Sequence, residues 1–267
     1  MKKVLYFSAM LMVAGVGTGV SADIISVSLT YTNSAERPLL AASDMAGFVN
    51  AANWNQVVAP DRDSVGITAD SLALNLGTGT SSGASLAHSS SGGSYVARRT
   101  TDATTYTPNQ ALMAGAFARF NYGTSGSHIY EVTGLSSTFT GPGYDVYVYV
   151  NAANFWEDRT DFYGQYRLQA GTYDQTTWAV TGVRYTNAFI NAGSGATQGT
   201  AGTGNYILFS GLTNASFTLT GVHSTDSARS GINGFQIVAI PEPGSMLLMG
   251  LGISVIVFFR RFVNKTL

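Results

Sequence analysis

Apolar and polar residues alternate with a period of two along most of this chain. In residues 144–150 (YDVYVYV), Val146, Val148 and Val150 share one face, while Asp145, Tyr147 and Tyr149 share the other. The same period recurs in residues 24–30, 64–76, 129–132, 163–168, 177–180, 206–209, 216–220 and 232–238. In 64–76 it sets Leu72, Leu74 and Leu76 on one side. Such alternation marks half-buried strands, and no long stretch of the body repeats its apolar positions every 3.6 residues. Turn formers separate the runs: Gly141-Pro142-Gly143, Gly171-Thr172, Gly193-Ser194-Gly195 and Gly211-Leu212-Thr213-Asn214. Residues 46–58 around Trp54 and residues 109–119 read as short helices or ordered loops. The glycine- and serine-rich stretch 77–93 reads as a long surface loop or irregular hairpin. About nine strands, with no internal repeat and no second core, predict a single all-β domain over residues 23–239. Its expected form is an antiparallel β-sandwich of jelly-roll type.

The two ends follow different patterns. Lys2 and Lys3 precede a mostly apolar run over residues 4–16, and Val20-Ser21-Ala22 supplies small residues for cleavage between Ala22 and Asp23. Residues 1–22 therefore read as a signal peptide, with the secretion translocon and signal peptidase as partners. At the other end, Pro241-Glu242-Pro243 is followed by an uncharged apolar run over 246–259, then Arg260 and Arg261. A bilayer span takes ~20 apolar residues. This run is shorter, so a transmembrane helix here sits under mismatch, with the arginines reaching for cytoplasmic headgroups. The two prolines stop the preceding strand and leave an extended peptide beside the membrane, which a membrane protease can grip.

Removing the tails changes the charge. Without Lys2, Lys3, Arg260, Arg261 and Lys265, 9 of the 14 basic residues remain; without Glu242, 14 of the 15 acidic ones remain, a net charge of about −5. The body contains no lysine, and the whole chain no cysteine. Nucleic acids and anionic membranes select basic patches, so neither is an expected partner of the body. A thiol enzyme and a disulfide framework are both excluded.

Three ordered features at the C-terminus, Pro241-Glu242-Pro243, the apolar run and Arg260-Arg261, resemble the PEP-CTERM sorting signal of exported Gram-negative proteins. That resemblance implies recognition by an exosortase-like membrane protease and passage through the inner membrane over residues 240–267. The protein is then destined for the cell surface or the extracellular matrix, in association with exopolysaccharide. The body has a second likeness. Its segments AGFVNAANWNQV, GLSSTFTGPGYDVYVYVN, GNYILFSGLTNASFTLTG and RSGINGFQIV follow one another as in domains of such exported proteins. Those domains resemble the galactose-binding-like β-sandwich, a fold shared by many carbohydrate-binding modules. The likeness implies a fold, and function by analogy alone.

Candidate chemistry is sparse. His88, His128 and His223 have no ligand partner at helical or finger spacing, and lone histidines of this kind are ordinarily structural. There is no phosphate-binding Gly-Lys loop. Carboxylates cluster at Asp61 and Asp63 and at Glu157, Asp158 and Asp161, with arginines interleaved as in local ion pairs. Asp61 and Asp63 offer alternate oxygen ligands, a weak calcium pattern lacking the glycine and glutamate of an EF-hand. The simpler reading is a turn capped by its aspartates. No metal or other cofactor is expected. For a sugar, the candidates are Trp156 with Asn154 and Glu157 (Asn151 nearby), and Trp178; Trp54 reads as core.

These features together predict an exported, non-catalytic surface or matrix protein that is sorted by an exosortase-like system and associates with exopolysaccharide, its body a structural or carbohydrate-binding module. The alternatives are a polysaccharide hydrolase using Glu157 or Asp161, and a structural surface protein without a ligand.

Overall fold

The computed structural model describes residues 23–31, 39–59, 69–90, 94–98, 106–119, 126–150, 163–180, 185–223 and 231–241, all within the compact unit Ala22–Glu242. Among them no helix is long and apolar enough to cross a membrane. The segments read from sequence as signal peptide and transmembrane helix lie outside the described residues.

The architecture is all-β, in two main sheets. One has five strands: β1 (Ile24–Tyr31), β2 (Asn55–Ala59), β8 (Tyr144–Tyr149), β12 (Tyr206–Leu212) and β14 (Gly234–Ala239). Their order is β12-β8-β14-β1-β2. The other has seven: β3 (Ala69–Asn75), β4 (Ser81–Ser90), β7 (Gly126–Thr133), β9 (Tyr163–Ala170), β10 (Tyr173–Val180), β11 (Gly202–Thr203) and β13 (Phe217–His223). They run β11-β10-β9-β13-β7-β4-β3. β5 (Ser94–Arg98) and β6 (Gly115–Arg119) pair as a separate two-stranded sheet, with helix α1 (Pro108–Ala114) between them leading into β6; a short helix α2 (Ser137–Thr140) joins β7 to β8. Pairing is antiparallel except for β1 with β2 and β10 with β11.

The sheets meet through alternate side chains. Ile25, Val27 and Leu29, Val146 and Val148, and Phe235 and Ile237 face Leu74, Leu86, Tyr130, Val132, Leu168 and Leu219 in one buried core. Leu72 and Leu76 pack against it beside Leu74, on the face the alternation predicts. The five-stranded sheet is covered on its second face as well. Residues 39–54, α1 and residues 185–192 lay Leu40, Trp54, Met113 and Tyr185 over Tyr149 and Tyr206. This explains why the second face of YDVYVYV carries the aromatic Tyr147 and Tyr149. The second face of the seven-stranded sheet is polar, with Glu131, Thr133, Arg167, Asp174 and Thr176 exposed.

Four expectations need correction. Fourteen strands are present among the described residues, against about nine expected. Stretch 77–93, expected as a surface loop or irregular hairpin, contains β4, which forms an irregular hairpin with β3 and is an interior strand of the larger sheet. Its inward positions are Ala84, Leu86 and His88 and its outward ones serine and alanine, so its alternation is nearly silent in hydrophobicity. Stretch 46–58 ends in β2, and 109–119 is a helix for only its first half before becoming β6. Gly211 and Leu212, expected in a turn, lie inside β12 at a bulge; Gly211 takes φ 73°, which glycine alone adopts freely.

Candidate functional site

The last strand leads directly into the C-terminal tail. β14 lies between β8 and β1, with Ala239 opposite Tyr144 and Val238 opposite Ile24. Two backbone bonds close it: the Ala239 N–H donates to Asp23 O at 2.9 Å, and the Ile240 N–H to Gly143 O at 2.8 Å. The next residue, Pro241, is exposed and has no N–H to extend the ladder. Gly143 takes φ 95°, and a Cβ there would come within 3.2 Å of Leu212 O, so this turn needs glycine to meet Ile240.

Residues 239–261 match the PEP-CTERM protein-sorting motif. The chain carries a PEP-CTERM sorting signal. The match takes in Pro241, Glu242, Pro243, Arg260 and Arg261, the residues named from sequence. A PEP-CTERM signal implies export, transient anchoring at the membrane by the C-terminus, and processing by an exosortase membrane protein. A comparison with curated proteins and one with solved structures each returned no match.

Within the PEP-CTERM segment, Pro241 is described; Glu242, Pro243, Arg260 and Arg261 lie outside the described residues, as does Ala22. Asp61, Asp63, Asn154, Trp156 and Glu157 also lie outside them. Ala59 of β2 and Tyr149 of β8, which precede those segments, lie at the opposite end of their sheet from Ala239 and Asp23. Trp54 is core, as its apolar setting predicts, and its indole N–H donates to Ala51 O at 2.9 Å. Trp178 is half-buried and sits on the outer face of β10 with Asp174 and Thr176.

Two histidines form an arrangement that spacing did not reveal. His88 on β4 and His128 on β7 are both buried, with rings stacked at 5.8 Å and 10°. His88 also stacks on Tyr130 at 4.7 Å and touches Phe117. Among the described residues, neither His88 nitrogen nor the Tyr130 hydroxyl has a hydrogen-bond partner. Burial, and then the neighbouring His128, push the His88 imidazole down to about 3, so it is neutral near pH 7. Burial likewise raises Tyr130 and Tyr166 well above the usual phenol range. This cluster is sealed in the core and has no access to substrate. Among the described residues, no three His, Cys, Asp or Glu side chains are grouped to hold a metal ion. The sequence signal for the pair was the inward position of His88 two residues after Leu86.

A second polar centre is built around Gln236, buried on the outer side of β14. It bonds to the Tyr149 hydroxyl, donates to Ser26 Oγ at 3.0 Å and to Val49 O at 2.7 Å, and accepts from the Val49 N–H at 3.3 Å. The Phe48 N–H donates to the Tyr149 hydroxyl at 2.7 Å, and the Gly47 N–H to Asn109 Oδ1 at 2.8 Å. Three consecutive amides of this loop are thereby held by side chains from distant segments. Gly47 takes φ 94° with Gln236 against it, where no other residue fits. The loop holds Phe48, 48% exposed, stacked on Tyr147 at 5.3 Å.

Proposed function

We propose that the protein is a non-catalytic component of an exported surface matrix, associated with exopolysaccharide and cut at the membrane by an exosortase-like protease. The observation that carries this reading is the continuity of fold and signal. The PEP-CTERM match begins at Ala239, the final residue of the central strand β14. The tail is thus the direct extension of a folded body, with Ile240 bonded to Gly143 and Pro241 beyond the ladder. A folded domain with an attached sorting tail suits delivery of an assembled module. The lysine-free, acidic body suits a role away from nucleic acid and anionic lipid.

Mass spectrometry of protein from the cell surface and from the membrane tests the reading. The surface form is expected to lack Ile253, and a chain with Pro241→Ala and Glu242→Ala to remain in the membrane with its tail uncut. Ile253 in the surface form identifies the tail as a permanent anchor and removes the sorting step.

A further inference from the structure

The uncovered face of the seven-stranded sheet carries a strip of amides, hydroxyls and one indole across β10, β9, β13 and β7. Cross-strand pairs set its rows: Trp178 beside Gln165, Thr176 beside Arg167, and Asp174 beside Gln169. The rows continue onto β13, where Thr220 pairs with Arg167 and Thr218 with Gln169. Two depressions lie in this strip. One, of about 530 Å³, is lined by Gln165, Arg167, Asp174, Thr176 and Val222; the other, of about 370 Å³, by Glu131, Gln169 and Thr218 among others. Both are in the size range of small-ligand clefts.

The polar groups are held in position. Arg167 grips Asp174 through both ends of its fork, Nε to Oδ1 at 2.8 Å and Nη2 to Oδ2 at 2.5 Å. Gln169 Nε2 adds a third donor to the same carboxylate at 3.4 Å. The guanidinium holds the Asp174 carboxyl below the usual carboxylate range and is itself stabilised as a cation. This cation is already matched, and Glu131 adds a further negative charge to the second depression.

We propose that this strip is a binding site for a neutral polysaccharide chain, with Trp178 as the stacking surface and Gln165, Arg167, Asp174 and Thr176 as hydroxyl partners. The site rests on the reading of the protein as a matrix component and gives that reading a location. Sugar hydroxyls both donate and accept, which suits a row of amides, hydroxyls and carboxylates. The ring C–H face suits a half-exposed indole. An anionic polymer finds no unmatched cation among the described residues of the strip, and two carboxylates oppose it. At ~4.8 Å between strands, four strands give the strip a width of about 14 Å, enough for an extended polymer to cross several of them.

Affinity electrophoresis of the full chain in mild detergent tests the site, using gels that contain galactomannan, hydroxyethyl cellulose, dextran or alginate. At least one neutral polymer is expected to retard the protein, and alginate none. Trp178→Ala is expected to weaken retention about tenfold, and Gln165→Ala or Thr176→Ala about threefold, the loss of one contact each. The Gln165 and Thr176 variants change outer-face polar side chains and are expected to keep the wild-type melting temperature, which separates lost binding from lost fold. Retardation by no neutral polymer, or by alginate alone, overturns the proposal. Retention that is equal in all three variants places glycan binding elsewhere and overturns this site while leaving the matrix reading intact. An uncut tail on surface protein has the opposite effect, removing the sorting reading and leaving the retention result to stand.

Discussion

Ala239 and Asp23 are joined by a backbone hydrogen bond of 2.9 Å, so the two ends of the body close on one another. β1 follows the expected signal-peptide cleavage point, and β14 runs into the PEP-CTERM segment. Their five-residue ladder, Ile24 with Val238 through Ser28 with Gly234, sits inside the smaller sheet and is flanked by β8 and β2. The sheet is therefore completed only when the last strand is present. A chain ending at Asn233 is expected to lose Phe235 and Ile237 from the core and show no cooperative thermal transition by circular dichroism. A chain ending at Pro241 keeps the full ladder and is expected to melt like the intact body.

Gln236 supports the loop that covers β14. Its replacement by alanine removes the acceptor of the buried Tyr149 hydroxyl and both partners of the part-buried Val49 backbone. The expected loss is about 3 kcal/mol in urea unfolding, since each orphaned buried group costs about 1–3 kcal/mol. Amide exchange at Phe48 and Val49 is expected to rise in the same variant. A variant that loses stability with no change at those amides would assign the role of Gln236 to the core instead.

Acid is expected to weaken the fold through His88. Its folded value, about 3, lies below the ordinary 6.5, so on acidification the unfolded chain takes up the proton first. The contribution to stability is complete above about pH 6.5 and falls toward pH 3, by up to about 1.4 kcal/mol per pH unit. His88→Phe removes that proton uptake and is expected to flatten the fall in melting temperature between about pH 7.5 and about pH 4.5. An identical slope in wild type and variant would assign the acid sensitivity to other groups.

Arg167 and Asp174 make the opposite case. The pair is bidentate, but the side chains are 44% and 46% exposed, so solvent screens it. Arg167→Ala is expected to leave the melting temperature unchanged within error while weakening polymer retention. A clear drop in melting temperature would make the pair structural.

Strand alternation was legible wherever the inward residues were large. YDVYVYV, with Val146, Val148 and Val150 buried, and the row Leu72, Leu74 and Leu76 both follow their sequence pattern. It was illegible in β4, where only Leu86 and His88 are large among small residues on both faces, and in β6, where GAFAR continues from a capped helix. The histidine pair was hidden for a different reason. His88 and His128 are far apart in the chain and meet only because β4 and β7 pair with Ser90 opposite His128.

The sequence by itself determined the address of this protein, because a sorting signal is read as a linear string: a triplet, an apolar run and a basic stop need no partner strand to be recognised. It also determined the all-β class, since a period of two is local. Only the tertiary structure decided which sheet face is covered and which is open. Residues 39–54, α1 and residues 185–192 fold over the five-stranded sheet and bury Gln236, while β9 and β10 keep Arg167, Asp174 and Thr176 exposed. Coverage depends on contacts between residues nearly two hundred positions apart, such as Gln236 with Val49, and no local pattern carries that information.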